Sequence, residues 1–348
     1  MVASRPAAPR ADNFRLGLAF AISSAFAFGM SGPLGKSLMT AGWSPTAAVT
    51  ARLAGGALLM AIFATCVRPG WVRDALAHWR IVLAYGLVPI AGAQLFYYNA
   101  VSHLSVGVAL LLEYTAPILV VGWVWLSTRR RPSNLTLAGV ALAVAGIMLV
   151  LDVFAGAHIN TVGVAWGMAA AVCAACYFLM SGRVATDTDD ADGVDPITLA
   201  TAGLAVGGAT TALLGLIGVM PMTFTTNDTV VAGLTTSWIV PVLALGLIPT
   251  AIAYTLGIIG IARLRPRFAS LVGLSEVLFA VLAAWVLLGE SINAVQAVGG
   301  AVVLLGLALA RQGDRRDTEP APVEDAMWPD TPSGEHTSSD PVGRRSWS

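Results

Sequence analysis

Glu113 and Glu276 each interrupt a long apolar run, Glu113 within Val106–Trp125 (VGVALLLEYTAPILVVGWVW) and Glu276 within Phe268–Leu288 (FASLVGLSEVLFAVLAAWVLL). A carboxylate at mid-bilayer costs roughly 3 kcal/mol on insertion scales, so an acid kept there is expected to face a protein interior or a wet cavity. Two uses follow from its chemistry. It can bind the ammonium of a substrate, or it can alternate between protonated and charged forms and so couple proton entry to substrate exit. Arg52 is the other charge set in apolar sequence, about two turns after Pro45. Its guanidinium can grip both oxygens of a substrate carboxylate; the same residue can instead act as a structural cation reaching for the interface.

Polar side chains recur at similar depth. Gln94, Tyr98 and Asn99 follow Pro89 at helical spacing, Tyr254 lies at a like depth in a later span, and Tyr177 and Ser181 repeat the pattern in another. Their hydroxyls and amides need partners inside a membrane, which a polar cavity supplies; packing or an interfacial belt is the other role open to the aromatics. With Glu113, Glu276 and Arg52 they form the candidate substrate-binding set. Cofactor motifs are weak. Cys173 and Cys176 have a redox spacing but lie in an apolar helix and read as packing residues. The stretch Ala185–Pro196 carries five aspartates but misplaces the glycine and lacks the closing glutamate of a calcium loop. Gly32–Ser37 resembles a phosphate loop without its first glycine or a preceding strand. No cofactor, metal or nucleic acid is expected, and no acid-plus-histidine cluster points to an enzyme.

These residues must be carried by membrane helices. The 348 residues are 56% hydrophobic and 11% charged, which excludes a soluble enzyme and a disordered chain. Hydropathy marks ten spans, near 16–34, 47–67, 81–101, 106–126, 135–151, 162–179, 197–219, 239–261, 268–288 and 295–310. Arginines crowd one set of connections (Arg68, Arg73, Arg80; Arg129, Arg130, Arg131; Arg183; Arg263, Arg265, Arg267) and both tails, while the opposite connections hold only Lys36. By the positive-inside rule both termini are cytoplasmic. A single lysine among twenty cationic residues suggests a GC-rich, bacterial source, hence a multi-pass protein of the bacterial cell membrane.

The chain also repeats. Residues 81–150 slide onto 241–310 without a gap, about 17 of 70 identical, with Pro89 on Pro249, Gly139 on Gly299 and Gly146 on Gly306. Glu276 falls on Ala116, one turn from Glu113, so the halves are related without being equivalent. Five spans per repeat is odd, so the second half is expected to enter the membrane upside down, with a substrate site at the midplane between halves. The expected organisation is an N-terminal cytoplasmic tail (1–14), a first repeat (15–152), a second repeat (153–310) and a disordered cytoplasmic tail (311–348). Pairs such as Gly163/Gly167 and Gly203/Gly207 are read as packing within one chain, leaving a monomer or weak homodimer among membrane lipids.

LEYTAP at Leu112–Pro117, WSPTAAVTARL at Trp43–Leu53, CYFLMSGR at Cys176–Arg183 and SEVLFAVLAAWVLLGE at Ser275–Glu290 carry a resemblance. Together with the repeat they resemble the drug/metabolite transporter superfamily, EamA type, and are similar to its threonine/homoserine exporter group. Departures are Val277, where the group has proline, and Thr128-Arg129-Arg130, where the second repeat has Gly289-Glu290. The resemblance implies an all-α membrane protein of ten transmembrane helices in two inverted five-helix repeats. It implies a secondary transporter that exports small metabolites, amino acids first, by alternating access with possible proton coupling. A multidrug or cationic-compound exporter of the same superfamily is the alternative.

Overall fold

In the computed structural model, residues 11–129, 131–151, 160–186, 194–263 and 266–318 are described, with the backbone alone over 11–14, 177–186, 261–263, 266–271, 311 and 314–318. The helices are α1 (Ala11–Gly29), α2 (Ser31–Thr40), α3 (Pro45–Val67), α4 (Trp71–Ala77), α5 (Trp79–Tyr85), a π-helix π1 (Gly86–Gly92), α6 (Ala93–His103), α7 (Val106–Glu113), α8 (Ala116–Thr128), α9 (Asn134–Val150), α10 (Thr161–Thr186), α11 (Pro196–Leu216), α12 (Ile239–Gly246), a second π-helix π2 (Leu247–Ile252), α13 (Ala253–Arg263), α14 (Pro266–Leu288) and α15 (Ala294–Thr318). Their starts are written locally. Ser44, Ser105 and Ser133 accept from the amides of Ala47, Val108 and Thr136, and Asp195 accepts from Ile197 and Thr198, supplying orphan donors of the first turn. Pro45, Pro117 and Pro196 sit in that turn, where the missing N–H costs nothing.

Six helical stretches are long and apolar enough to cross a bilayer: Arg15–Thr40, Pro45–Val67, Trp79–His103, Val106–Thr128, Pro196–Leu216 and Ile239–Gly260. Asn134–Val150, Thr161–Cys176, Val272–Leu288 and Ala294–Ala310 are shorter apolar helical stretches. Large apolar side chains point outward, as at Leu58 (64% exposed) and Leu126 (74%), while alanines and glycines line the contacts between helices. That inverts the arrangement of a soluble bundle and suits a chain solvated by lipid, where close backbone approach drives association.

Both prolines of the repeat do the same thing. Pro89 lies in π1 and Pro249 in π2, because a residue without N–H cannot close the α-helical ladder and the helix widens around it. The equivalent helices α9 and α15 pack on their equivalent glycines. A Cβ at Gly139 would lie 2.6 Å from the Gly306 carbonyl oxygen, and one at Gly146 would lie 2.8 Å from that of Gly299. Numbers rise along α9 as they fall along α15, so the two helices run antiparallel. The third repeated helix differs between copies. Val106–Thr128 breaks at Tyr114–Thr115, where Pro117 denies the Glu113 carbonyl its donor, while α14, with Val277 in place of that proline, is unbroken.

Two features depart from expectation. The first span continues past Leu34 to Thr40 after a break at Met30, so Lys36 belongs to a helix rather than to a connection. A hairpin of β1 (Thr229–Val231) and β2 (Leu234–Thr236) follows α11, turning through Ala232 and Gly233 at positive φ. The segment before it clasps the α2–α3 turn: the Trp43 indole donates to the Thr225 carbonyl at 2.8 Å, and Thr225 and Asn227 donate to that of Ala41. The tails 1–10 and 319–348 and most of the aspartate-rich stretch lie outside the described residues.

Candidate functional site

Arg52 does not reach for an interface. It is 2% exposed, about two turns into α3, and its guanidinium crosses to the second half. Nε donates to Thr250 Oγ1 at 3.3 Å, one terminal nitrogen to the Pro249 carbonyl at 3.2 Å, and the other to Gln94 Oε1. The Tyr98 ring lies beneath it, 5.9 Å from centroid to guanidinium carbon. π2 supplies two of these acceptors. Pro249 leaves the Leu245 carbonyl without its helical donor, Thr250 Oγ1 takes that carbonyl at 2.9 Å, and the same oxygen accepts from Arg52.

A mate of this crossing exists and is apolar. α11 starts like α3, with a capping residue and proline, and Gly207 stands where α3 has Gly56. A Cβ at Gly56 would meet Thr250 Cγ2 at 2.1 Å, and one at Gly207 would meet Ile90 Cγ2 at 2.7 Å, so each helix packs on the same position of the other half's π-helix. The counterpart of Arg52 is Gly203, covered by Tyr85 and Ile90. One crossing carries a guanidinium, and at the other the Tyr85 ring and Ile90 pack on a glycine.

The acids lie on the charged side. Glu113 ends α7 at the break, is partly accessible, and has no hydrogen-bond or ion-pair partner among the described residues. Glu276, also partly accessible, accepts from Tyr114, whose hydroxyl lies 2.7 Å from Glu276 Oε2 and 2.9 Å from the Gly273 carbonyl. The charge of Arg52 reaches both Glu113 and Glu276, yet no carboxylate among the described residues comes within ion-pair distance of Arg52.

The other candidates divide. Gln94 and Tyr98 join Arg52. Tyr98 gives its hydroxyl to the Ser31 carbonyl at 3.1 Å, so its ring faces the cluster while its oxygen is occupied, against Gly35 where a Cβ would collide at 2.3 Å. That approach accounts for Gly35, while at Gly32 a Cβ would collide with the Tyr97 hydroxyl at 2.3 Å and with Val106 at 2.5 Å. Asn99 turns back to the Leu95 carbonyl at 2.7 Å. Tyr254 holds the repeat position of Gln94 and packs edge-on to Phe28 at 5.1 Å. The Tyr177 side chain lies outside the described residues. Sequence reasoning missed Thr250 and Tyr114. A threonine directly after the repeated proline, and a tyrosine beside the first acid, were the available signals.

Salt bridges join the halves at both ends. Lys36 Nζ lies 2.5 Å from Glu290 Oε1, with the Leu104 carbonyl at 2.8 Å, while Glu290 Oε2 accepts from the Val106 amide. At the other end Arg68 lies 3.2 Å from Asp195. Lys36 tolerates its half-buried helical position because both neighbours are acceptors.

Known proteins match this arrangement. The family model described as EamA-like transporter family matches residues 15–152 and again 161–312. The threonine/homoserine exporter RhtA of Escherichia coli K12 is 30% identical over 278 residues, 78% of this chain and 83% of its own length. RhtA of Salmonella typhimurium LT2 is 31% identical over 270 residues, 76% and 80% respectively. A solved structure titled only as a crystal structure of a protein covers 89% of this chain and 100% of its own, at a TM-score of 0.57 and 21% identity, a likeness of fold alone. The two matched segments are the two copies whose proline-centred π-helices and glycine-packed helices were described above, and the chain belongs to the EamA-like transporter family.

Proposed function

We propose that this chain is a ten-helix, inverted-repeat secondary transporter of the bacterial cell membrane that exports small amino acids by alternating access, with protons as the coupling ion. The observation that carries the reading is the group of ionisable residues held between the halves: Arg52 of one half on the carbonyl and hydroxyl of the other, with Glu113 and Glu276 beside it. Antiparallel packing of the equivalent helices α9 and α15 supports the inversion, and the six long and four shorter apolar stretches support the count of ten. The repeat-equivalent Trp125 and Trp285, both exposed near helix ends, fit belts at opposite faces. The arginine-rich connections and both tails are then cytoplasmic, and the Lys36–Glu290 end faces outward.

In this reading the substrate sits at the midplane near Gln94, Tyr98, Tyr254 and Tyr177, with Asn99 at the margin. Arg52 holds its carboxylate, and Glu113 or Glu276 holds its ammonium. The two halves rock about this point, because unequal packing at the two crossings allows one to open while the other stays closed. Glu113, without a hydrogen-bond or ion-pair partner among the described residues, is the group that takes up and releases the coupling proton. The threonine/homoserine exporters named above point the same way. Expression in a sensitive host tests the reading: protection from toxic amino-acid analogues is expected, and protection from lipophilic cations instead would make the chain a cationic-compound exporter.

A further inference from the structure

Arg52 is the strongest unresolved feature of the site. Its nitrogens donate to a hydroxyl, an amide oxygen and a backbone carbonyl, all neutral. A guanidinium buried to 2% exposure and held only by neutral acceptors is under-compensated, since a carboxylate makes roughly twice as strong a hydrogen bond and takes two N–H groups at once. Neither Glu113 nor Glu276 comes within ion-pair distance of it among the described residues. Two of its three neutral acceptors, Pro249 and Thr250, belong to the other half of the chain, so whatever draws the guanidinium away from them also loosens the contact between halves. At the other crossing no side-chain cation stands in this place: its position is Gly203, packed against Tyr85 and Ile90.

We propose that the carboxylate of the substrate displaces the Pro249 carbonyl and the Gln94 amide oxygen from Arg52, so that a free carboxylate is both the feature recognised and the trigger that loosens α3 from π2, leaving the Nε–Thr250 bond as the remaining tie. This rests on the amino-acid reading above and sharpens it. Arg52 becomes the residue that sets specificity: α-amino acids are cargo, while their esters and the corresponding amines, which keep the ammonium but offer no anion, are not. An ester carbonyl is another neutral acceptor and gives the guanidinium nothing it lacks.

The test is counterflow in liposomes containing the full chain, preloaded with unlabelled amino acids and supplied outside with a labelled mixture. Competitors are the same amino acids, their methyl esters, or the decarboxylated amines. The free acids should suppress uptake, and esters and amines should require at least roughly tenfold higher concentration, the factor corresponding to one lost charged hydrogen bond. Arg52→Lys should keep part of the discrimination, and Arg52→Gln should lose uptake of the acids. Esters that compete as well as the acids, with uptake by the parent chain intact, overturn this inference and leave amino-acid transport standing. No amino-acid uptake by the parent chain overturns both. The ester comparison uses the parent chain alone, so the result does not depend on an Arg52 variant folding.

Discussion

Lys36 and Glu290 meet across the two halves, Nζ to Oε1 at 2.5 Å, and Glu290 uses its second oxygen on the first amide of α7. Gly289, at φ +70, ends α14 and turns Glu290 back toward the bundle. A cavity of about 210 Å³ lies beneath, bordered by Ser105, Val108, Val277, Glu290 and Gln296. The pair thus closes one end of the space between α7, α14 and α15. Glu290→Gln should open it, seen as several-fold faster labelling of a cysteine placed at Val108 by a membrane-impermeant thiol reagent, in a background without Cys66, Cys173 and Cys176. The exchange Lys36→Glu with Glu290→Lys should restore slow labelling only in part, because the swapped charges meet the Leu104 carbonyl and the Val106 amide with the wrong sign. Equal labelling in all three would remove the pair as a closure.

Tyr114 holds Glu276 across the interface at 2.7 Å. A hydrogen bond to a charged group contributes about 1.5–3 kcal/mol, so Tyr114→Phe should lower transport by roughly tenfold or more while leaving the protein inserted. The effect should not add to that of Glu276→Ala, because both variants remove the same contact. A double-mutant cycle with a coupling energy near zero would show that the two side chains act separately.

Arg129 and Gly289 occupy the same place in the two repeats, each closing a helix with its amide on a tryptophan carbonyl, Trp125 at 2.9 Å and Trp285 at 3.0 Å. Both have positive φ, 58° and 70°, but only glycine takes that conformation without strain. Arg129→Gly should therefore stabilise the first repeat by about 1 kcal/mol, read as a rise of a few degrees in Tm in detergent. A fall in Tm would mean that the arginine side chain contributes more than its backbone costs.

Much of the architecture was legible because it is local or repeated. The recurrence of Pro89 at Pro249 and of Gly139 and Gly146 at Gly299 and Gly306 marked equivalent helices, and the structure adds that the prolines widen two of them into π-helices, that Pro117 breaks the helix beside Glu113, and that the glycines bring α9 and α15 together. The partners of the charges were not legible. Arg52 meets Thr250 across 198 positions, Tyr114 meets Glu276 across 162, and Lys36 meets Glu290 in a helix that hydropathy ended too early. No local rule ties residues so far apart, and an arginine in apolar sequence reads equally well as a surface cation until its acceptors are seen. The hairpin at Thr229–Thr236 is three residues per strand and carries too short an alternation to register.

Glu113 is an acid at a helix break with no partner among the described residues, and in the proposed mechanism coupled transport turns on it. The direct measurement compares the parent chain and Glu113→Gln, inserted in liposomes to the same level, for movement of labelled amino acids driven by an imposed pH gradient. The parent should accumulate label against its own gradient, and Glu113→Gln should fail to do so while remaining folded. Accumulation by Glu113→Gln at the parent rate across the near-neutral range would contradict the account.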